Sequence, residues 1–248
     1  MSNITFDFSG NNYIITGASS GMGRQVAEEL AKAGANVLAI ARRKEKLEEL
    51  KSTFPEHITV GELDVCQVDK LKQCMIEFVN HKGKFSGAVH AAGISGITPI
   101  RAYDSMLARN IMDTSFWAGI ELTQLLVKKK YSVDGASIVW FSSVYSISCA
   151  RGMFAYSAAK AAANAALKSI AKEINNRNQR INSIMPGWVD TGMTQSLATV
   201  SKIDEIISHE LLGIGKPTDV SGMILFLLSD RAKWITGTTI PVDGGYLA

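Results

Sequence analysis

Short apolar runs alternate with longer amphipathic segments along the 248 residues of the chain. Tyr13–Thr16, Asn36–Ala41, His57–Leu63, Phe85–His90, Ala136–Phe141, Arg180–Met185 and Thr239–Val242 are short runs, and they read as seven strands. Between them a helical period runs over Gly21–Ala33, Arg42–Lys51, Val68–His81, Met106–Lys130, Phe154–Asn175 and Asp219–Leu228. Strands that alternate with helices in this way predict an α/β fold, a doubly wound parallel sheet of about seven strands with helices on both faces. No linker, repeat or low-complexity segment interrupts the alternation, so the expectation is one domain over residues 1–248. Three stretches carry neither period, 92–105, 143–153 and 187–216. Each follows a strand, and loops at the carboxyl ends of parallel strands line the ligand crevice. Substrate is expected among these loops, with 187–216 as the main substrate loop.

Composition narrows the classes. At 46% hydrophobic and 20% charged residues the chain can bury a large core, and disorder is not expected. Net charge is only +3 with scattered basic residues, and the densest cluster, Lys128-Lys129-Lys130, suits the last turn of a helix, where cations meet the dipole favourably. A nucleic-acid surface is not expected. Cys66, Cys74 and Cys149 are odd in number and widely spaced, and His57, His81, His90 and His209 lack ligand spacing, so neither a disulfide framework nor a metal site is expected. The first ten residues do not read as a signal peptide. The alanine-rich stretch near residue 160 is broken by Lys160 and Lys168, so no membrane span is expected and the cytoplasm is the expected setting.

Candidate chemistry begins at residues 16–23, Thr-Gly-Ala-Ser-Ser-Gly-Met-Gly, between the first strand and the first helix. Gly17, Gly21 and Gly23 let backbone approach a pyrophosphate, with Ser19, Ser20 and Met22 beside them, and a helix N-terminus supplies free N–H groups and partial positive charge. The spacing is GxxxGxG; taken alone it is also an ordinary turn capping a helix. The second strand ends Ala41-Arg42-Arg43, with no acid to bind a ribose 2′-hydroxyl. Guanidinium groups there suit a 2′-phosphate, so NADP(H) is expected over NAD(H), chiefly through Arg42; Arg43 divides evenly between that role and starting the next helix.

Tyr156 and Lys160 stand four apart on a helix and share a face. A tyrosine near its usual pKa of about 10 is a poor acid or base at neutral pH. A neighbouring ammonium and the charge of an oxidised nicotinamide favour the phenolate, which would let Tyr156 exchange a proton with a carbonyl or alcohol oxygen. Lys160 is also placed to hold a nicotinamide ribose, and Ser143, ending the fifth strand, to bind the substrate oxygen. In isolation the Tyr–Lys pair is equally a coincidence of helix packing.

Together the GxxxGxG turn, Ser143 thirteen residues before Tyr156, and the Tyr156–Lys160 pair closely resemble the short-chain dehydrogenase/reductase family over essentially the whole chain. Asp64-Val65, Gly93, Pro186-Gly187 with Thr191, and the final Asp243-Gly244-Gly245 match as well. The resemblance implies a Rossmann-type fold and an enzyme that interconverts a carbonyl and a secondary alcohol. It gives Asp64 and Val65 to the adenine, with an N-cap role also open to Asp64; Ala92 and Gly93 to the cofactor wall; Val189 and Thr191 to the carboxamide; and Pro186-Gly187 to a bend under the nicotinamide, or to a plain turn. The family's Asn-Asn-Ala-Gly is His90-Ala91-Ala92-Gly93 here, so local hydrogen bonding changes and His90 reads as a partly buried strand residue. The family's relay asparagine falls to Asn110, 33 residues ahead of Ser143 and about one position off register unless a helix bulge corrects it. Bacterial 3-oxoacyl-[acyl-carrier-protein] reductases are the nearest general match, although sugar, polyol and ketone reductases share these motifs. A homo-oligomer, with a tetramer favoured, is implied by the resemblance.

The third loop carries Trp188, Met193, Leu197, Leu211 and Leu212, and Met153 and Phe154 precede Tyr156; these suit an apolar or mixed substrate, or core and subunit contacts. Two other functions compete. A non-catalytic dinucleotide sensor has little need of Ser143, Tyr156 and Lys160 together. A nucleotide-sugar epimerase or dehydratase prefers a GxxGxxG turn and a longer C-terminal substrate region.

Overall fold

The computed structural model describes residues 4–198 and 210–248. Seven parallel strands form one sheet: β1 (Asn12–Thr16), β2 (Asn36–Ala41), β3 (Ile58–Glu62), β4 (Phe85–His90), β5 (Ser132–Phe141), β6 (Arg180–Pro186) and β7 (Thr239–Val242), in the order β3-β2-β1-β4-β5-β6-β7. The connecting helices are α1 (Gly21–Lys32), α2 (Lys44–Thr53), α3 (Val68–Lys82), α4 (Ser105–Met112), α5 (Ala118–Leu126), α6 (Phe154–Ile174), α7 (Gly192–Ala198) and α8 (Pro217–Leu228).

Strand alternation divides the core into two layers. Tyr13, Ile15, Val37, Ala39, Val139 and Phe141 point to the side covered by α1, α2 and α8, through Val26, Leu30, Leu47, Leu50 and Ile224. Their neighbours Ile14, Leu38, Ile40, Ile138 and Trp140 point to the side covered by α3, α5 and α6, through Leu71, Met75, Leu122 and Leu167. A strand buried on both faces must be apolar at every position, which is why these strands read as runs. Strand order reverses between β1 and β4, so their carboxyl ends part there and open a crevice.

Two differences from the sequence expectation bear on function. The expected helix over Met106–Lys130 is α4, one π-helical turn (Asp113–Trp117), and α5, with Lys128–Lys130 in the turn that follows. The fifth strand starts at Ser132 rather than Ala136, because the extra residues pair on: Phe85 opposes Ser132 and Gly87 opposes Ser137, with an irregularity between. Arg177 clamps that extension, donating to Asp134 Oδ1 (2.7 Å) and to the backbone oxygens of Val127 (2.7 Å) and Ser132 (2.8 Å).

Candidate active site

At the β1–β4 crevice the glycine turn lies hard against the chain that leaves β4. Gly17 has φ +71°, and a Cβ there would stand 2.7 Å from the Ala92 nitrogen. A Cβ on Gly23 would stand 2.5 Å from the Gly17 oxygen, so only glycine lets α1 begin this close to the turn. Helix α1 opens at Gly21 with no side-chain cap from Ser20 and no acid in its first turn. Its first N–H groups are therefore left for an anion. These features border a cleft of about 270 Å³ that runs from Arg42 and Arg43 past Asp64 and Val65 to Gly93, Tyr156, Lys160 and Thr191. The uncapped helix start, the close-packed glycines and the length of the cleft suit an extended dinucleotide.

The arginines divide their work differently from the expectation. Arg43 Nη2 donates to the hydroxyls of Ser19 (2.9 Å) and Ser20 (2.6 Å), so it reaches back over the glycine turn. Arg42 is largely exposed and stands 3.9 Å from Asp64 Oδ2. Asp64 Oδ1 accepts the Cys66 N–H (3.0 Å), whereas the cap position of α3 belongs to Gln67, so Asp64 closes a turn rather than capping the helix.

Ser143, Tyr156 and Lys160 meet at the other end. Tyr156 and Ser142 line both the cleft and a second cavity of about 80 Å³, and Ser143 lines the second. The Ser143 hydroxyl lies near enough to Tyr156 to lower its pKa, and it accepts the Tyr145 N–H (3.2 Å). Lys160 Nζ lies 5.6 Å from the Tyr156 ring centre and donates to the Phe141 carbonyl (2.7 Å). Burial raises the Tyr156 pKa, and the group opposing that rise is Ser143 rather than the ammonium expected from the sequence. Burial brings Lys160 down to about 8.

Asn110 requires correction. On α4 the inward residues are Ala108 and Ile111, which pack on Ala155 and Ala159 of α6. One residue is about 100° of helix rotation, and Asn110 is exposed, away from the cleft. The π-helical turn supplies the expected bulge, but after Asn110, and the residue it delivers is Ser115. The Ser115 hydroxyl is buried, accepts the Ile94 N–H (3.4 Å), and lies 3.3 Å from where a Gly93 Cβ would sit; Lys160 Nζ is 3.5 Å from the same point. Nothing in the sequence marks a lone serine in an apolar helix as special.

Pro186, Gly187 and Val189 line the second cavity rather than the cleft. Gly187 is needed for close approach, since a Cβ would meet the Asp243 oxygen at 2.8 Å. Trp188 is buried with Val144, Tyr145 and Met153, whereas Phe154, Leu211 and Leu212 are exposed. Met193 borders both spaces. Residues 199–209 of the expected substrate loop, His209 among them, lie outside the described residues, as does the side chain of Leu197. Glu210, which no sequence pattern singles out, is a buried carboxylate that accepts the Trp188 N–H and whose pKa is raised by burial. No described helix is long and apolar enough to cross a membrane.

Comparison with known proteins agrees with this geometry. The family model described as Enoyl-(Acyl carrier protein) reductase matches residues 17–247. The 3-oxoacyl-[acyl-carrier-protein] reductase FabG of Thermotoga maritima is 31% identical over 242 residues, covering 94% of this chain and 96% of that protein. The protein of the same name from Rickettsia conorii is 32% identical, covering 97% and 98%. A short-chain dehydrogenase/reductase from Brucella melitensis, described as SDR: glucose/ribitol dehydrogenase, superposes with a TM-score of 0.92 at 26% identity, covering 98% of this chain and 99% of its own. With sequence, fold and ordered site motifs in agreement, the chain belongs to the short-chain dehydrogenase/reductase family, oxidoreductases that act between alcohol and carbonyl with a nicotinamide dinucleotide.

Proposed function

We propose that this protein is an NADP(H)-dependent carbonyl reductase whose acceptors include 3-oxoacyl thioesters, with Tyr156 as the proton donor. The observation that carries the reading is the position of Tyr156 on the wall shared by the two cavities, with Ser143 beside it and Lys160 behind it. The names of the relatives at 31–32% identity support the thioester class. Arg42 and Arg43 at the acid-free end of β2 support the phosphorylated cofactor, Arg43 through its hold on Ser19 and Ser20.

When bound, the reduced cofactor supplies the hydride. The chain's own residues do the rest. The α1 N-terminus and Gly17–Gly23 hold the pyrophosphate, and Thr191, against Gly21, closes the cleft above it. Ser143 hydrogen-bonds the substrate oxygen and orients it toward Tyr156. The phenol gives its proton to that oxygen as negative charge develops. A pKa raised by burial keeps Tyr156 protonated for this step, and the Lys160 ammonium steadies the phenolate that remains.

The test is a panel of 3-oxoacyl thioesters, simple ketones and ketoses, followed by loss of NADPH absorbance. Tyr156→Phe is expected to bind NADPH as wild type does while turnover falls by about a hundredfold or more. Undiminished turnover would reject the mechanism. Exchanging Arg42 and Arg43 together for Asp and Ser is expected to weaken NADPH about tenfold or more while sparing NADH, from loss of charge-assisted hydrogen bonds. A wild type that already prefers NADH would overturn the cofactor assignment.

A further inference from the structure

Asn164 is a polar side chain that the chemistry above does not use. It stands on α6 inside residues 161–167, Ala-Ala-Ala-Asn-Ala-Ala-Leu, an otherwise apolar stretch. Asparagine is a mediocre helix former, because its amide competes with the backbone for hydrogen bonds. Among the described residues, its own side-chain bonds all leave α6.

They build a chain of polar groups from β7 to the end of β5. Asn164 Oδ1 accepts the Ser183 hydroxyl of β6 (3.1 Å), and Ser183 Oγ lies 2.8 Å from Thr239 Oγ1, its register partner on β7. Asn164 Nδ2 donates to Ser146 Oγ (2.8 Å), with Met185 Sδ a weaker acceptor at 3.7 Å. The Ser146 hydroxyl donates to the Ser143 carbonyl (2.6 Å), which also accepts the Ser146 N–H (2.9 Å).

The neighbours fix the direction of these bonds. A carbonyl can only accept, so Ser146 gives Ser143 its one proton. Met185 Sδ, 3.3 Å from Ser146 Oγ, is both the poorer acceptor and the longer contact. Ser146 Oγ is then open to a donor, and the Asn164 amide NH2 supplies it. Turning that amide over would set its oxygen against the Met185 sulfur and against a hydroxyl whose proton is already committed.

Ser143 follows β5 in extended backbone, φ −165° and ψ 153°, and caps a 3-10 turn of three residues (Val144–Ser146). So short a turn has poor internal hydrogen-bond geometry, and ties from outside decide its place. Ser142 donates to the Lys160 carbonyl on one side (3.3 Å), and Ser146 accepts from Asn164 on the other. Asn164 follows Lys160 by four residues and Tyr156 by eight on the same helix. Its bond to Ser146 therefore connects the segment that carries Ser143 with the helix that carries Tyr156 and Lys160.

We propose that Asn164 is a positioning residue: through Ser146 it clamps the Ser143 backbone to α6 and so sets the Ser143 hydroxyl against the Tyr156 phenol. Neither Asn164 nor Ser146 lines the cleft or the second cavity, so both act through Ser143. The effect on turnover rests on the reductase reading, whereas the hold on the Ser143 carbonyl does not.

Two experiments test it. Carbonyl carbon-13 serine with nitrogen-15 valine labels the Ser143–Val144 peptide, and Ser132–Val133 is the other such pair in the chain. A hydroxyl donated to a carbonyl moves its carbon resonance downfield. Ser146→Ala is therefore expected to move the Ser143 resonance upfield, Asn164→Leu to move it part of the way, and Ser146→Thr to leave it near wild type. A Ser143 resonance unmoved in Asn164→Leu would overturn the clamp.

The second experiment is kinetic. Ser146→Ala and Asn164→Leu are each expected to lower kcat about tenfold with NADPH affinity and substrate KM little changed, because a displaced Ser143 costs most when charge reaches the substrate oxygen. The double variant is expected to be no slower than either single one, since both cut the same chain. Ser146→Thr keeps the hydroxyl and is expected to retain most of kcat. Wild-type kcat in Ser146→Ala sinks the proposal, as do losses that multiply in the double variant. A lowered melting temperature at unchanged kcat would do the same, since a purely structural role gives that result. Where Asn164→Leu does not fold, Asn164→Ser, too short to reach Ser146, takes its place. A wild type without NADPH-dependent turnover fails the reductase reading instead, and the carbonyl resonance then decides the clamp.

Discussion

Lys160 shows how one residue sets opposing demands. It is buried, and its pKa is drawn from 10.5 down to about 8 because burial penalises the ammonium. As free enzyme it carries its charge below about pH 8 and loses it above. The reductive kcat/KM, which reports the free enzyme, is therefore expected to decline as pH rises through about 8, and a profile still flat a unit and a half higher would exclude Lys160 as the titrating group. The sign for stability is opposite. Between about 8 and 10.5 the unfolded chain binds more protons than the folded one, so folding is favoured as pH rises through that window. Below it the full penalty of a buried cation is present. Lys160→Met is expected to abolish turnover and to gain stability relative to wild type near neutral pH, with the gain shrinking as pH rises to 10.5; thermal melts across that range measure it. At this scale Ser143, Tyr156 and Lys160 were legible, because each is a chemically distinctive residue at a spacing the backbone must honour. The division of labour between Arg42 and Arg43 was not: both are flexible, and only the position of the Ser19 and Ser20 hydroxyls shows which one turns inward.

Among the elements, strands and most helices follow from the periodicity, since Ile14 and Ile15 or Leu38 and Ala39 bury into opposite layers and leave no polar position between them. The break in the helix before β5 does not follow from it. Phe116 and Trp117 are apolar, so one added residue at Asp113–Trp117 leaves the hydrophobic run intact to the eye. Yet that residue turns Ser115 rather than Asn110 toward Gly93 and Lys160, and a π-bulge inside an α-helix is often a functional device. The misassignment of Asn110 came from that single residue of rotation. Ser115→Ala would take the acceptor from the half-buried Ile94 N–H, a loss of about 1 kcal/mol. A fall in melting temperature of a few degrees is expected, at roughly 2–4 °C per kcal/mol in a chain of this size. Because Ile94 also borders the cleft, NADPH should bind more weakly; a variant with unchanged melting and NADPH affinity would show that the serine is not holding the turn.

For the molecule as a whole, apolar side chains stay exposed at several places among the described residues, two of which bear on assembly. One is on the side of α4, the π-helical turn and α6, where Met106, Trp117 and Phe154 are exposed. The other is beside β7, the sheet's outer strand, where Trp234 is 97% exposed. An exposed indole of that kind offers about 3 kcal/mol on burial. A dimer with one twofold axis needs one self-complementary patch, whereas a tetramer with two needs two. A homotetramer is the oligomer that the family resemblance implies, and these two patches are its candidate contacts. Sedimentation of the wild type is expected to give a tetramer. Trp234→Glu places a charge at the second patch only, so it should yield dimers that still bind NADPH, because the cofactor cleft is built within one chain. A monomeric wild type would remove the need for either patch. A tetramer indifferent to Trp234→Glu would take the β7 edge out of the assembly and leave the α4–α6 side as its one supported contact.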